Sequence, residues 1–142
     1  GGMIKDGEIT HWITADVPIT TLCPCSKKNS HEGAHNQRAL VSTKVVIEER
    51  VWLEELIELI EAEGSSELYS VLKREDEAFV TDEAYENPKF VEDVVRDISV
   101  AISDHEQMHE FYVDCTSFES IHNHDAYARV IEGDIWQGRY LV

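Results

Sequence analysis

The feature that most constrains this chain is a change of hydrophobic period at Val51 and its reversal after Asp104. Before it, residues 8–17 (EITHWITADV) alternate Ile9, His11, Ile13 and Ala15 against Thr10, Trp12 and Thr14, the period of two that a half-buried strand requires. Pro18 has no N–H to donate and is expected to end the pairing of that strand. Residues 39–49 (ALVSTKVVIEE) read as a second, longer strand. From Val51 onward, Trp52, Leu53, Leu56, Ile57, Leu59 and Ile60 recur at helical spacing, with Glu54, Glu55, Glu58 and Glu61 on the opposite side. Gly64 is the expected stop, and Ser65 or Ser66 the N-cap of a short helix carrying Leu68, Val71 and Leu72. Lys73–Glu77 is expected to be its solvated end. Thr81 and Asn87 read as further N-caps, with Pro88 opening a helix that runs to Asp104. That helix gathers Phe90, Val91, Val94, Val95, Ile98, Ala101 and Ile102 on one broad face and leaves Glu92 outside it. Residues 109–118 (HEFYVDCTSF) and 125–132 (DAYARVIE) return to the period of a strand.

The order is therefore ββααββ: an α+β domain with an antiparallel sheet and its helices on one face. Such a sheet has two open edges, and pairing between subunits is a common way to protect them, so a homo-oligomer is expected. Gly1 and Gly2 precede Met3 in the manner of a cloning remnant, which puts the expected single domain at residues 3–142.

With 142 residues, 42% of them apolar, the chain is long enough for one real core. The formal net charge of -17 argues against nucleic acid or an anionic membrane as partners. Three cysteines, two of them in a C-x-C spacing, do not make a disulfide framework. With no apolar run long enough for a membrane span, the expected location is the cytoplasm.

Between the first two strands lies the densest group of reactive side chains, Cys23-Pro24-Cys25-Ser26-Lys27-Lys28-Asn29-Ser30-His31-Glu32-Gly33-Ala34-His35-Asn36-Gln37-Arg38. Thiolate and imidazole together suit a borderline-soft transition metal such as zinc; a nucleophilic or redox cysteine is the second reading. Gly33 permits a sharp turn that would bring Cys23 and His35 together. C-x-C is too tight for a zinc knuckle, so at most one of Cys23 and Cys25 is expected to bind metal. Between the last two strands, Glu119, His122 and His124 form a second polar cluster fit for metal binding or general acid/base work. A thiolate, one or two imidazoles and a carboxylate would leave a coordination position for water, the open pattern of a catalytic site. Cys115 alternates within a strand and reads as core.

The runs Cys23–Lys27 and Gly33–Arg38 resemble the signature of the type IB GTP cyclohydrolases, and the likeness continues through Lys73–Glu77, Asn87–Asp93 and Phe118–His124. The resemblance implies a tunnelling fold, in which several subunits close a barrel with active sites at their junctions. It implies conversion of GTP to 7,8-dihydroneopterin triphosphate and formate, the first step of tetrahydrofolate synthesis. The implied cofactor is a divalent metal, zinc, manganese or iron, held by Cys23, His35 and Glu77 with His122 close enough to join. By the same resemblance Cys23, Glu119 and His122 take part in catalysis, and Glu92 anchors the guanine. Lys27, Lys28 or Arg38 would meet its phosphates. Family members carry an amino-terminal half of the same fold type, so this chain is expected to be a carboxy-terminal half or a short relative. Two other readings follow: an archaeal-type cyclohydrolase giving a cyclic phosphate, or a non-catalytic subunit that binds metal and purine and pairs with the missing half. The nitrile reductases of the same fold also use a cysteine, but their motifs do not match.

Overall fold

The period-two segments form one antiparallel sheet in the order β1-β2-β3-β4-β5. In the computed structural model, which describes residues 1–5 and 7–134, the strands are β1 Gly2–Lys5, β2 Glu8–Leu22, β3 Asn36–Ile47, β4 Met108–Ser117 and β5 Ala126–Glu132. The helices are α1 Pro24–Asn29, α2 Leu53–Ala62, α3 Arg74–Glu86 and α4 Val91–Ser103. The expected domain extends to residue 142, beyond the described residues.

One face of the sheet carries the core. Val17 and Ile19 of β2, Val41 and Val45 of β3, and Phe111, Val113 and Cys115 of β4 pack against Leu56 and Ile60 of α2 and Val94, Ile98 and Ile102 of α4. The alternation that hides these residues sends Tyr112, Asp114, Tyr127 and Arg129 to the other face, where the Arg129 guanidinium lies 4.9 Å from the Tyr112 ring centre and 5.3 Å from that of Tyr127. The α+β class and the placement of the main helices on one face thus follow from the two periods. Among the described residues, no helix is long and apolar enough to cross a membrane.

Four local expectations need correction. β2 does not stop at Pro18, which pairs opposite Leu40 while the strand runs on to Leu22. Between Ile13 and Ile19, β2 pairs only with β3 among the described residues, so the missing donor falls where an edge tolerates it. No helix forms at Leu68–Leu72; Ser65 instead joins β2, its N–H donating to Thr20 O at 2.7 Å and its Oγ accepting from Leu22 N at 3.0 Å. The oxygen read as a helix cap is occupied by a strand, and Val71 is left 88% exposed with no core to enter. Lys73–Glu77 begins a helix rather than ending one: Lys73 N donates to Asp76 Oδ2 at 3.0 Å, and Thr81 sits inside α3, donating to Glu77 O. Finally, α4 opens at Val91 rather than Pro88, with Phe90 N donating to Asp93 Oδ2. β1, unexpected from sequence, pairs with β2 after a turn at Gly7, whose φ of +88° suits glycine.

Candidate active site

The β2–β3 ladder does not end with its last paired residues. Cys23 N–H donates to His35 O at 3.1 Å, so the two residues that flank the reactive loop are held side by side. Ser26 ties the loop from within: its Oγ accepts from His35 N at 3.1 Å and donates to Cys23 O at 3.1 Å. Pro24 starts α1 immediately after Cys23, where its missing N–H costs nothing. The left-handed φ of +125° at Gly33 supplies the sharp turn that the sequence called for.

This closed loop forms one wall of a cavity of about 340 Å³, within the usual range for small-molecule sites. Thr21 and Cys23 come from the end of β2, His35 and Gln37 from the start of β3. Phe90 and Glu92 come from the start of α4, and Ser117, Glu119, His122 and His124 from the end of β4 and the turn after it. The His35 and His122 rings meet edge to face with centres 6.4 Å apart, and His122 stacks on His124 at 5.3 Å.

A row of hydrogen bonds crosses the floor of the cavity. His35 Nδ1 is 2.9 Å from Gln37 Oε1, Gln37 Nε2 donates to Thr21 Oγ1 at 3.1 Å, Thr21 Oγ1 lies 3.2 Å from Ser117 Oγ, and Ser117 Oγ donates to Glu119 Oε1 at 3.0 Å. Thr21 and Ser117 are each 1% exposed, and each hydroxyl is satisfied within the row. Lys89 lines the cavity too, its Nζ 2.8 Å from Glu63 and 3.0 Å from Asp97. Burial pulls its pKa down, but hydrogen bonds and charge from Glu63 and Asp97 outweigh that, and the net shift is upward.

Of the residues singled out in the sequence, Cys23, His35, Glu92, Glu119 and His122 are brought to this one cavity. Glu77 is not: it is exposed in the first turn of α3 and lines no part of it. Lys27 is turned away, donating to Tyr85 O and lying 4.3 Å from the Tyr85 ring centre. Arg38 is exposed and alternates with Gln37 and Ala39, so it belongs to the opposite face of the sheet. Cys25, set aside from its spacing, does line the cavity. Gln37, Thr21, Ser117 and Lys89 were missed. The first three are uncharged, and the fourth stands in a helix-capping segment; only the neighbouring motif residues could have flagged Gln37.

The donor types fit a divalent transition metal: a thiol, imidazoles and a carboxylate face one space. Their spacing is wider than coordination needs. Among the described residues no three such groups are close enough together to hold one ion, and the 6.4 Å between the His35 and His122 rings exceeds what two imidazoles on one tetrahedral ion adopt.

Residues 2–128 match the family model described as type I GTP cyclohydrolase folE2. The chain is 54% identical over 133 residues to the GTP cyclohydrolase FolE2 of Halorhodospira halophila, covering 94% of this chain and 51% of that protein. It is 57% identical over 114 residues to the FolE2 of Geotalea uraniireducens, covering 80% of this chain and 42% of the relative. Against the FolE2 of Neisseria meningitidis serogroup C the identity is 49% over 129 residues, 91% of this chain and 43% of the relative. The chain spans about half the length of the curated relatives it matches.

Proposed function

Because the chain belongs to the type I GTP cyclohydrolase FolE2 family, we propose that its cavity is a GTP cyclohydrolase site of type IB, converting GTP to 7,8-dihydroneopterin triphosphate and formate at the entry to folate synthesis. The observation that carries this reading is the cavity itself, where Cys23, His35, Glu92, Glu119 and His122 converge from separate parts of the sequence. Glu92, in the first turn of α4 at the cavity wall, accepts paired N–H bonds from the guanine edge and fixes the ring. Glu119 and His122 exchange protons with the opening imidazole ring of the substrate.

A divalent ion, zinc, manganese or iron, supplies the Lewis acidity that makes water a nucleophile near neutral pH. Cys23 and His35 would hold it, with His122 approaching by a change of rotamer. Glu77 reaches the cavity only if α3 moves, and α3 buries only Ala84, so it has little packing to lose by doing so. Lys27 and Arg38 would meet the triphosphate across a junction between copies, because the lysine at the cavity, Lys89, is already neutralised by Glu63 and Asp97. The expected assembly is a barrel closed through the outer edges of β1 and β5.

Incubation of the metal-loaded, assembled protein with GTP, followed by chromatography of the pterins, tests the reading. Dihydroneopterin triphosphate supports it; a cyclic phosphate product assigns the archaeal-type reaction instead; unchanged GTP overturns it. A second reading is favoured by the half-length match alone: a subunit that binds metal and purine but turns over only with a companion half. It predicts that metal binds without turnover and that activity returns on mixing with the amino-terminal half of a relative.

A further inference from the structure

The row of hydrogen bonds under the cavity has a direction, and its end fixes it. A carboxylate oxygen only accepts, so the Ser117 hydroxyl, 3.0 Å from Glu119 Oε1, spends its single proton there. At the 3.2 Å contact between Ser117 and Thr21, the proton must therefore come from Thr21 Oγ1. Thr21 then has only a lone pair for Gln37, which places the Gln37 amide nitrogen at Thr21 and its oxygen at His35. Ser120 Oγ, 3.4 Å from the same Gln37 oxygen and 3.5 Å from His35 Nδ1, is a weaker donor to that oxygen and agrees with the orientation. An amide oxygen cannot donate, so the proton in the 2.9 Å contact belongs to His35 Nδ1.

We propose that Gln37, Thr21 and Ser117 are positioning residues, a one-way hydrogen-bond chain from His35 to the Glu119 carboxylate that holds the imidazole as its Nδ1–H tautomer and keeps Nε2 as the ring's electron-pair donor. The register builds the chain: Thr21 pairs directly with Gln37 across β2 and β3, and Ser117 ends the next strand opposite Ala39. Both residues are almost fully buried, a setting of low dielectric in which the bonds of such a chain reinforce one another. Its purpose rests on the reading of His35 as a ligand, since a metal takes the ring nitrogen that carries no proton. Its geometry does not.

The test is the proton-nitrogen correlation spectrum of the metal-free protein with labelled histidine, taken where the ring is neutral. His35 is expected to show a protonated Nδ1 and a bare Nε2. Gln37→Leu removes the acceptor and is expected to move the ring to a majority of Nε2–H, the form free histidine prefers, whereas Gln37→Glu keeps an acceptor and keeps Nδ1–H. Should Gln37→Leu fail to fold, Ser117→Ala decides, since it cuts the chain from the carboxylate and is expected to give a mixture of tautomers. An Nε2–H ring in the parent, or an unchanged ring in folded Gln37→Leu or Ser117→Ala, overturns the proposal. These spectra need neither GTP nor metal, so the tautomer can be established in a chain that leaves GTP intact and refuted in one that turns it over.

Discussion

Gln37 changes how His35 is understood. Spacing and a glycine were enough to bring His35 beside Cys23, because chain reversal is a local matter. What orients the ring comes from neighbouring strands, and no local pattern in the sequence records which neutral side chains will face each other there. Loss of that support is expected to cost about tenfold to a hundredfold in metal affinity in Gln37→Leu, measured by competition with a chelating dye. Glu92 was legible for a different reason: it falls off the apolar face of a strongly periodic helix. Its replacement by Gln should weaken GTP binding by about 1.5–3 kcal/mol, the value of a hydrogen bond to a charged group, seen as a raised KM; an unchanged KM would detach Glu92 from the guanine. Lys27 and Arg38 show the limit of reading charge alone. Two of the basic side chains expected to meet phosphates became one lysine bound to Tyr85 and one arginine on the far side of the sheet.

At the scale of elements, the strands and the two long apolar helices were legible because their periods reflect the face they bury. The segment from Ser65 to Lys73 was not, because serines that look like caps are equally good partners for an open strand edge. Packing of α2 on β2 makes Ile60, fully buried, a sensitive position: Ile60→Ala should cost about 2–5 kcal/mol in denaturant unfolding. In β4, burial pushes the Cys115 thiol up to about 12, with the Asp114 charge adding to it. The folded state therefore binds this proton more tightly than the unfolded chain, in which the thiol titrates near 9.0. Stability is expected to be intact below pH 9 and to fall as pH rises from there towards 12, by of order 4 kcal/mol over the full window. Thermal unfolding followed across that range should show a shallower decline in Cys115→Val than in the parent; equal slopes would mean that the thiol does not drive it.

For the whole molecule, the family resemblance was carried by a few dense motifs, and the family match bears out the type I cyclohydrolase relationship. The fold class was legible from the order of periods; how copies join was not, since edge strands do not name their partners. A sheet with outward-facing Tyr127 and Ile131 on its last strand is expected to associate, and sedimentation of the protein should give species larger than one chain. Assembly also bears on Glu77, whose helix buries only Ala84. If closing the barrel or binding metal brings α3 in, Glu77→Gln should lower metal affinity by at least about tenfold.

The claim on which all of this turns is that the cavity built on Cys23 and His35 opens the imidazole ring of GTP. GTP labelled at C8 gives the most direct measurement, with the metal-loaded, assembled protein assayed for labelled formate beside Cys23→Ala. The account predicts formate release from the parent that depends on added divalent metal and is lost in the variant. Label that stays in the purine, with metal demonstrably bound and the assembly intact, would contradict it.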